Sequence, residues 1–333
     1  MKYNDDAQLD TSEVSDSRGG GSGFSAGGIG GGGGIGLIGL LLPFLFRGRS
    51  GRFSGLVVLV VVGVLTVLLT RGGSSSGQGV LGQLGQNGNP ATADNGDLAQ
   101  ECRTGADANS KLECAVVADI NSVQDYWGAA YPTLATRYRG AQRGYSKVDT
   151  VFFTGQVSTA CGSASSDAGP FYCPGDKLVY IDLGFYNQLK SQFGAEGGPL
   201  VNAYVLAHEY GHHVQDLLGT ESKVKTREGA SSDSVRLELQ ADCYAGVWMN
   251  HASQPQGGQP ALIEDITQAD LDSAVDTAQR IGDDYIQKNL GGGNVDPDSF
   301  THGSSAQRKK WLTTGYRTGD PLQCDTFSAS SLG

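Results

Sequence analysis

Eighteen consecutive uncharged residues, Phe53 to Thr70, rich in Leu and Val and bracketed by Arg52 and Arg71, divide this 333-residue chain. As a helix the run reaches roughly 27 Å, close to the ~30 Å hydrocarbon core of a bilayer. It is apolar on every face, unlike a surface-packed core helix. It begins too far into the chain for a secretory leader, and no Ala-x-Ala site follows it. The expectation is a transmembrane helix at 53–70, with the lipid bilayer as a partner. Arg47, Arg49 and Arg52 precede the run and Arg71 alone follows closely, so the N-terminal side is expected to be cytoplasmic and the C-terminal part extracytoplasmic. A hairpin of 30–46 with 53–70 would still place the C-terminal part outside.

The remaining boundaries follow from composition. Residues 1–18 are polar and acidic without apolar periodicity, which predicts a disordered tail. Residues 19–52 form a glycine-rich, then apolar, juxtamembrane segment with a basic end. Residues 71–100 are rich in Gly, Ser, Gln and Asn and read as a flexible linker. Residues 101–333 are then one sizeable domain. The net charge of −11 argues against nucleic acid as a partner.

Within that domain, Ala207 to Gln215 reads AHEYGHHVQ, and three of the five histidines of the chain fall in it. Residues four apart share a helix face, so His208 and His212 can aim two imidazoles at one metal ion. Glu209 sits at the rim of the same face, where it can take a proton from water. Val201, Tyr204, Val205, Val214, Leu217 and Leu218 give Leu200 to Leu218 an apolar stripe, and Gly219 reads as the stop.

A catalytic zinc site normally has a third protein ligand. The candidate is Glu238, 26 residues after His212, in RLELQADCYAGVW. Asp242, one turn on, can accept the free ring N–H of a ligating histidine and so fix its tautomer. The neighbours Leu237, Leu239, Ala241 and Tyr244 make this helix largely apolar, and buried carboxylates need partners.

HEYGHHVQDLLG followed by RLELQADCYAGVW resembles the bacterial "putative neutral zinc metallopeptidase" family. FYCPGDKLVYIDLGFYNQL, IGDDYIQ, FTHGSSAQRKKWLTTGY and the late Cys324-Asp325-Thr326-Phe327 match in order, from about Cys102 to Phe327. The resemblance implies an α+β, zincin-like fold, mainly helical with a small β-sheet. It also implies one Zn2+ per chain on His208, His212 and Glu238, with Glu209 as base. It carries no substrate. In zincin-type sites an edge strand beside the metal helix pairs with an extended peptide; by resemblance that strand is Val179, Tyr180, Ile181 and Asp182, although an interior position fits these residues equally well.

All six cysteines lie beyond the apolar run, as disulfides in an exported domain would. Of fifteen possible pairings, Cys102–Cys114 and Cys161–Cys173 close short loops and leave Cys243–Cys324. A second zinc site is disfavoured because no Cys-x-x-Cys pair is present. Leu112 to Tyr131 predicts a helix, Asp149 to Thr159 and Leu178 to Leu183 predict strands, and Ile263 to Ile286 predicts one or two helices. Asp283 and Asp284 carry no catalytic assignment.

Hydrolysis through a tetrahedral intermediate needs a donor aimed at the developing oxyanion. His302 resembles the Thr-His-Pro histidine of membrane-bound CAAX-processing and heat-shock zinc proteases, also followed there by an arginine, here Arg308; Gly303 departs from that proline. His213, about 100° around the helix from His212, is expected to pack or hydrogen-bond. The sequence thus predicts a single-pass membrane protein with an extracytoplasmic zinc metallopeptidase domain acting on a peptide or protein. Two alternatives stand beside it: a catalytically silent zinc-binding scaffold, and a zinc amidase acting on a cell-wall component.

Overall fold

The computed structural model describes residues 1–18, 96–256 and 260–333. The expected juxtamembrane segment 19–52, the span 53–70 and most of the linker 71–100 lie outside the described residues. Among the described residues, no helix is long and apolar enough to cross a membrane. The fold is α+β, about half helical, with small sheets.

The helices form the body. Helix α3 (Leu112–Ala135), α5 (Pro199–Leu218), α6 (Asp233–His251) and α9 (Ser305–Thr318) pack around one core containing Trp127, Tyr204, Tyr210, Tyr244 and Trp248. Their ends are written in local chemistry. Pro199 opens α5, where its missing N–H costs nothing, and Gly219 closes it in the left-handed region at φ 70°. Ser232 caps α6, and a Ser304/Gln307 capping box starts α9. Smaller helices α1 (Gly96–Glu101), α2 (Gly105–Ala108), α4 (Phe185–Ser191), α7 (Gln268–Arg280) and α8 (Asp283–Asn289) fill the periphery.

Beside α5 lies a four-stranded sheet of order β2 (Val14–Asp16), β3 (Thr150–Phe152), β7 (Leu178–Ile181), β6 (Phe171–Cys173). The first three run parallel and β6 is antiparallel to β7. Alternation assigns the faces: Val179 and Ile181 enter the helical core, while Tyr180 joins Phe153 and Cys173 in a second small cluster. Val157 of a hairpin, β4 (Gln156–Thr159) with β5 (Gly162–Ser165), packs on that second cluster. The predicted strand 149–159 is therefore two strands, broken where Gly155 takes φ 78°.

Three further expectations are corrected. Residues 1–18 are not a disordered tail. Strand β1 (Lys2–Tyr3) pairs with β8 (Ile263–Asp265), and β2 pairs with β3. Tyr3 and Val14 are buried, and the Tyr3 hydroxyl donates to the buried Asp119 at 2.8 Å. Glu13 is also buried, accepting from Asn121 Nδ2 at 2.8 Å and paired with Lys147. Second, Val179 to Ile181 form an interior strand; on the side next to α5 the free edge is β6. Third, 263–265 is a strand rather than the start of a helix. The linker also ends early, since 96–101 is already helical with Leu98 buried.

Candidate metal centre

Gly211 and Ala241 set the site. A Cβ added at Gly211 would lie 3.0 Å from the Cα of Ala241 and 3.1 Å from its carbonyl oxygen. The backbones of α5 and α6 therefore meet between His208 and His212 on one helix and between Glu238 and Asp242 on the other. That close crossing brings the ligand atoms of His208, His212 and Glu238 within 4.8 Å of one another.

Hydrogen bonds decide which nitrogen of each imidazole faces inward. His208 Nδ1 donates to Asp242 Oδ1 at 2.9 Å, leaving Nε2 3.2 Å from Glu238 Oε2. His212 Nδ1 donates to Gln215 Oε1 at 2.9 Å, leaving Nε2 3.6 Å from Glu238 Oε1. Two Nε2 lone pairs and a carboxylate converging at one point form the nitrogen-and-oxygen donor set that zinc takes in catalytic sites. Burial pushes His208 down, but Asp242 and then Glu238 carry it up to about 10. Burial would raise Glu238, but His212 and His208 hold it well below the usual range. The carboxylates thus demand positive charge at the imidazole edges, and a divalent cation answers that demand as a proton does. The residues fit the ion.

Behind the ligands lies a closed network. Asp242, fully buried, accepts from the Tyr204 hydroxyl at 2.7 Å and from Arg308 Nε and Nη2, each at 2.9 Å. On the other ligand, Gln215 Nε2 donates to the Leu237 carbonyl at 2.7 Å and to Gln240 Oε1 at 3.1 Å. Gln240 Nε2 donates to the carbonyl of Cys324, which is disulfide-bonded to Cys243. All three disulfides pair as the short-loop argument expects, including Cys102–Cys114 and Cys161–Cys173.

Glu209 points its carboxylate beside this centre. Its Oε2 accepts the backbone N–H of Tyr172, in β6, at 3.0 Å. Burial raises its pKa, against the lowering by His208 and His212, which makes it a better proton acceptor. His302 is partly buried, its side chain 29% exposed. Its Nδ1 lies 2.8 Å from Thr301 Oγ1 and 3.4 Å from Asp283 Oδ1. Burial lowers its pKa, but Asp283 and Glu238 outweigh that and raise it. Asp283 Oδ2 accepts the backbone N–H groups of Thr301, His302 and Gly303 at 2.7–2.9 Å, so it shapes the whole loop. Gly303 stands at φ 95°, which a proline ring cannot adopt, and this explains the departure from Thr-His-Pro.

Val179, Tyr180 and Ile181 are not at the site's edge. Asp182 instead accepts from Gly184 N at 2.8 Å and Gly155 N at 3.1 Å, and from Ser166, tying the hairpin to β7. Sequence reasoning missed Tyr172, Gln215, Tyr204 and Asp283. Gln215, three residues after one ligand, and Tyr204, four residues before the other, carried a local signal on the same helix. Tyr172 and Asp283 come from distant segments.

A His, His and Glu donor set, with His208 and Glu238 buried and a further carboxylate beside it, has the make-up of a metal-dependent hydrolase type of site. The chain belongs to the family described as "putative neutral zinc metallopeptidase", whose model matches residues 1–327. An uncharacterized protein of Mycobacterium tuberculosis is 50% identical over 241 residues, covering 71% of this chain and 78% of that protein. The uncharacterized protein YpfJ of Escherichia coli is 40% identical over 294 residues, covering 86% of this chain and 90% of that protein. No solved structure matches the chain.

Proposed function

We propose that the protein is a zinc-dependent peptidase. His208, His212 and Glu238 hold the ion, Glu209 is the general base and His302 is the oxyanion donor. The observation that carries this reading is the convergence of three ligand atoms within 4.8 Å beside a buried carboxylate held by a single backbone N–H. Zinc in such a site lowers the pKa of water to ≈ 7 and polarises a carbonyl. Glu209 takes the proton of the attacking water and delivers it to the leaving amine. His302, steadied by Asp283, donates a ring N–H to the oxygen on which charge develops.

Zinc content tests the site directly. The wild type is expected to hold about one zinc per chain, and Glu238→Ala to lose it or bind it at least about a hundredfold more weakly. Elemental analysis with a chelator competition measures this. Metal-free wild type after folding in zinc would overturn the proposal.

One observation favours a second reading, hydrolysis of a non-peptide amide. Strand β6 has three residues, lies between Pro170 and Pro174, and its central N–H is already given to Glu209. Little remains with which to pair a long extended peptide. Comparing labelled casein with purified peptidoglycan fragments separates the two.

For location we propose the extracytoplasmic side for both residues 1–18 and 96–333. The three disulfides support an oxidising compartment. The pairing of β1 and β2 into the body supports a shared side, so an anchor through 53–70 requires an even number of crossings. Asp6→Cys and Ser330→Cys, both at exposed positions, are expected to react alike with a membrane-impermeant maleimide in intact cells. Labelling at one position alone would refute the shared side.

A further inference from the structure

Strand β6 is fastened to α5 by one residue used twice. The backbone N–H of Tyr172 donates to Glu209 Oε2 at 3.0 Å. The Tyr172 hydroxyl reaches one to two turns further along the same helix, lying 3.2 Å from His213 Nδ1 and donating to Asp216 Oδ2 at 3.0 Å. His213 is fully buried, and its Nε2 lies 2.8 Å from the carbonyl oxygen of Ser146, which can only accept. The proton is therefore on Nε2, and Nδ1 and Asp216 Oδ2 both turn lone pairs toward the one hydrogen of the Tyr172 hydroxyl, which they share. The rings of Tyr145 and Tyr172 close the pocket, each centroid 5.4 Å from that of His213. The third histidine of the motif thus faces away from the metal centre and toward the strand that holds the base.

The strand has little other freedom. Tyr172 pairs with Val179, whose own N–H is turned to Asp149, so position 172 projects its backbone groups away from β7 and toward α5. The next residue, Cys173, is fixed through Cys161 to the hairpin on the far face of the sheet. The depth of Tyr172 against α5 is then set from its side chain, and that depth sets where its N–H meets the Glu209 carboxylate. Anchoring one carboxylate oxygen leaves the other with a defined direction, the condition for proton transfer to a positioned water.

We infer that His213 and Tyr172 are positioning residues, which act through strand β6 to orient the Glu209 carboxylate. The inference rests on Glu209 being the base. Neither residue touches the reacting atoms, and their effect on turnover passes through one hydrogen bond.

The test uses the zinc-loaded full chain, fluorescein-labelled casein, and the variants Tyr172→Phe, His213→Gln and their combination. Tyr172→Phe keeps the ring and its packing and removes only the hydroxyl. His213→Gln keeps a donor for the Ser146 carbonyl and removes the ring lone pair at Nδ1 that faces the Tyr172 hydroxyl. Each single variant is expected to lower kcat about tenfold with KM within about twofold, and zinc content unchanged. Because both act on one bond, the double variant is expected to be no more than about twofold worse than either single. Independent structural roles would multiply the losses instead.

Hydrogen exchange read by mass spectrometry supplies a readout that needs no turnover. Exchange over 171–173 is expected to rise in both variants while α5 and α6 stay as in the wild type. Unchanged exchange over 171–173, or multiplicative losses in kcat, would overturn the inference. Glu209→Gln in the same assay separates the two levels. If it keeps turnover, the assignment of the base fails. If it loses turnover while Tyr172→Phe matches the wild type, only the positioning role fails.

Discussion

Glu209→Gln is expected to lower kcat/KM on casein by about a thousandfold while leaving zinc at one per chain. General acid–base catalysis contributes typically 10²–10⁴-fold, and here one carboxylate both takes and returns the proton. Glutamine matches its shape, and its amide oxygen can still accept the Tyr172 N–H, so the helix and strand keep their places. What is lost is only a site that can hold a proton. The zinc ligands are untouched, because Glu209 makes no hydrogen bond to His208, His212 or Glu238. Casein hydrolysis and elemental analysis on the same sample check the result. Turnover within tenfold of the wild type would remove Glu209 from the mechanism, and loss of zinc would mean the variant had damaged the site instead.

The ligand helix was legible because its chemistry is local. His208 and His212 declare themselves by a spacing that any helix converts into one face, and Gly219 marks where that helix stops. Glu238 and Asp242 were legible for the same reason, as two acids one turn apart on an otherwise apolar helix. Their division of labour, one toward the imidazole edges and one toward Nδ1 of His208, follows from the crossing at Gly211 and Ala241. Partners supplied by distant segments were not legible. Tyr172 sits in a three-residue strand too short for alternation to appear, and its role depends on lying beside α5. Asp283 was singled out as one of two adjacent acids, but only the fold brings it under the 301–303 loop.

The N-terminal segment failed for a related reason. Composition measures whether a stretch can bury apolar surface on its own, and residues 1–18 cannot. They add single side chains, Tyr3 and Val14, to a core already built, and satisfy their polar groups on Asn109, Asp119 and Asn121. Strand β7 was misplaced because an interior strand and an edge strand with one buried face have the same sequence pattern. Only the order of pairing tells them apart.

Asp242→Ala is expected to destabilise the zinc-free protein by about 3–5 kcal/mol, the usual result of breaking a buried ion pair from one side. The guanidinium of Arg308 would remain buried without its carboxylate, and Tyr204 and His208 would each lose an acceptor. Zinc affinity is expected to fall a further 10–100-fold, since His208 would lose the bond that fixes its tautomer. The two effects are separable. Arg308→Met in the Asp242→Ala background removes the stranded charge, so stability is expected to recover substantially while zinc affinity does not. Urea unfolding of the zinc-free proteins and chelator competition on the loaded ones measure each in turn. The acid dependence has a definite sign. Burial would raise the Asp242 pKa, but Arg308 and His208 bring it down from 3.8 to about 2. The stability it contributes is therefore fully present above 3.8 and is lost as pH falls through about 2, so the gap between wild type and Asp242→Ala is expected to narrow across that window. A variant within 1 kcal/mol of the wild type at neutral pH would mean that Arg308 finds another partner and that the network does not hold the site.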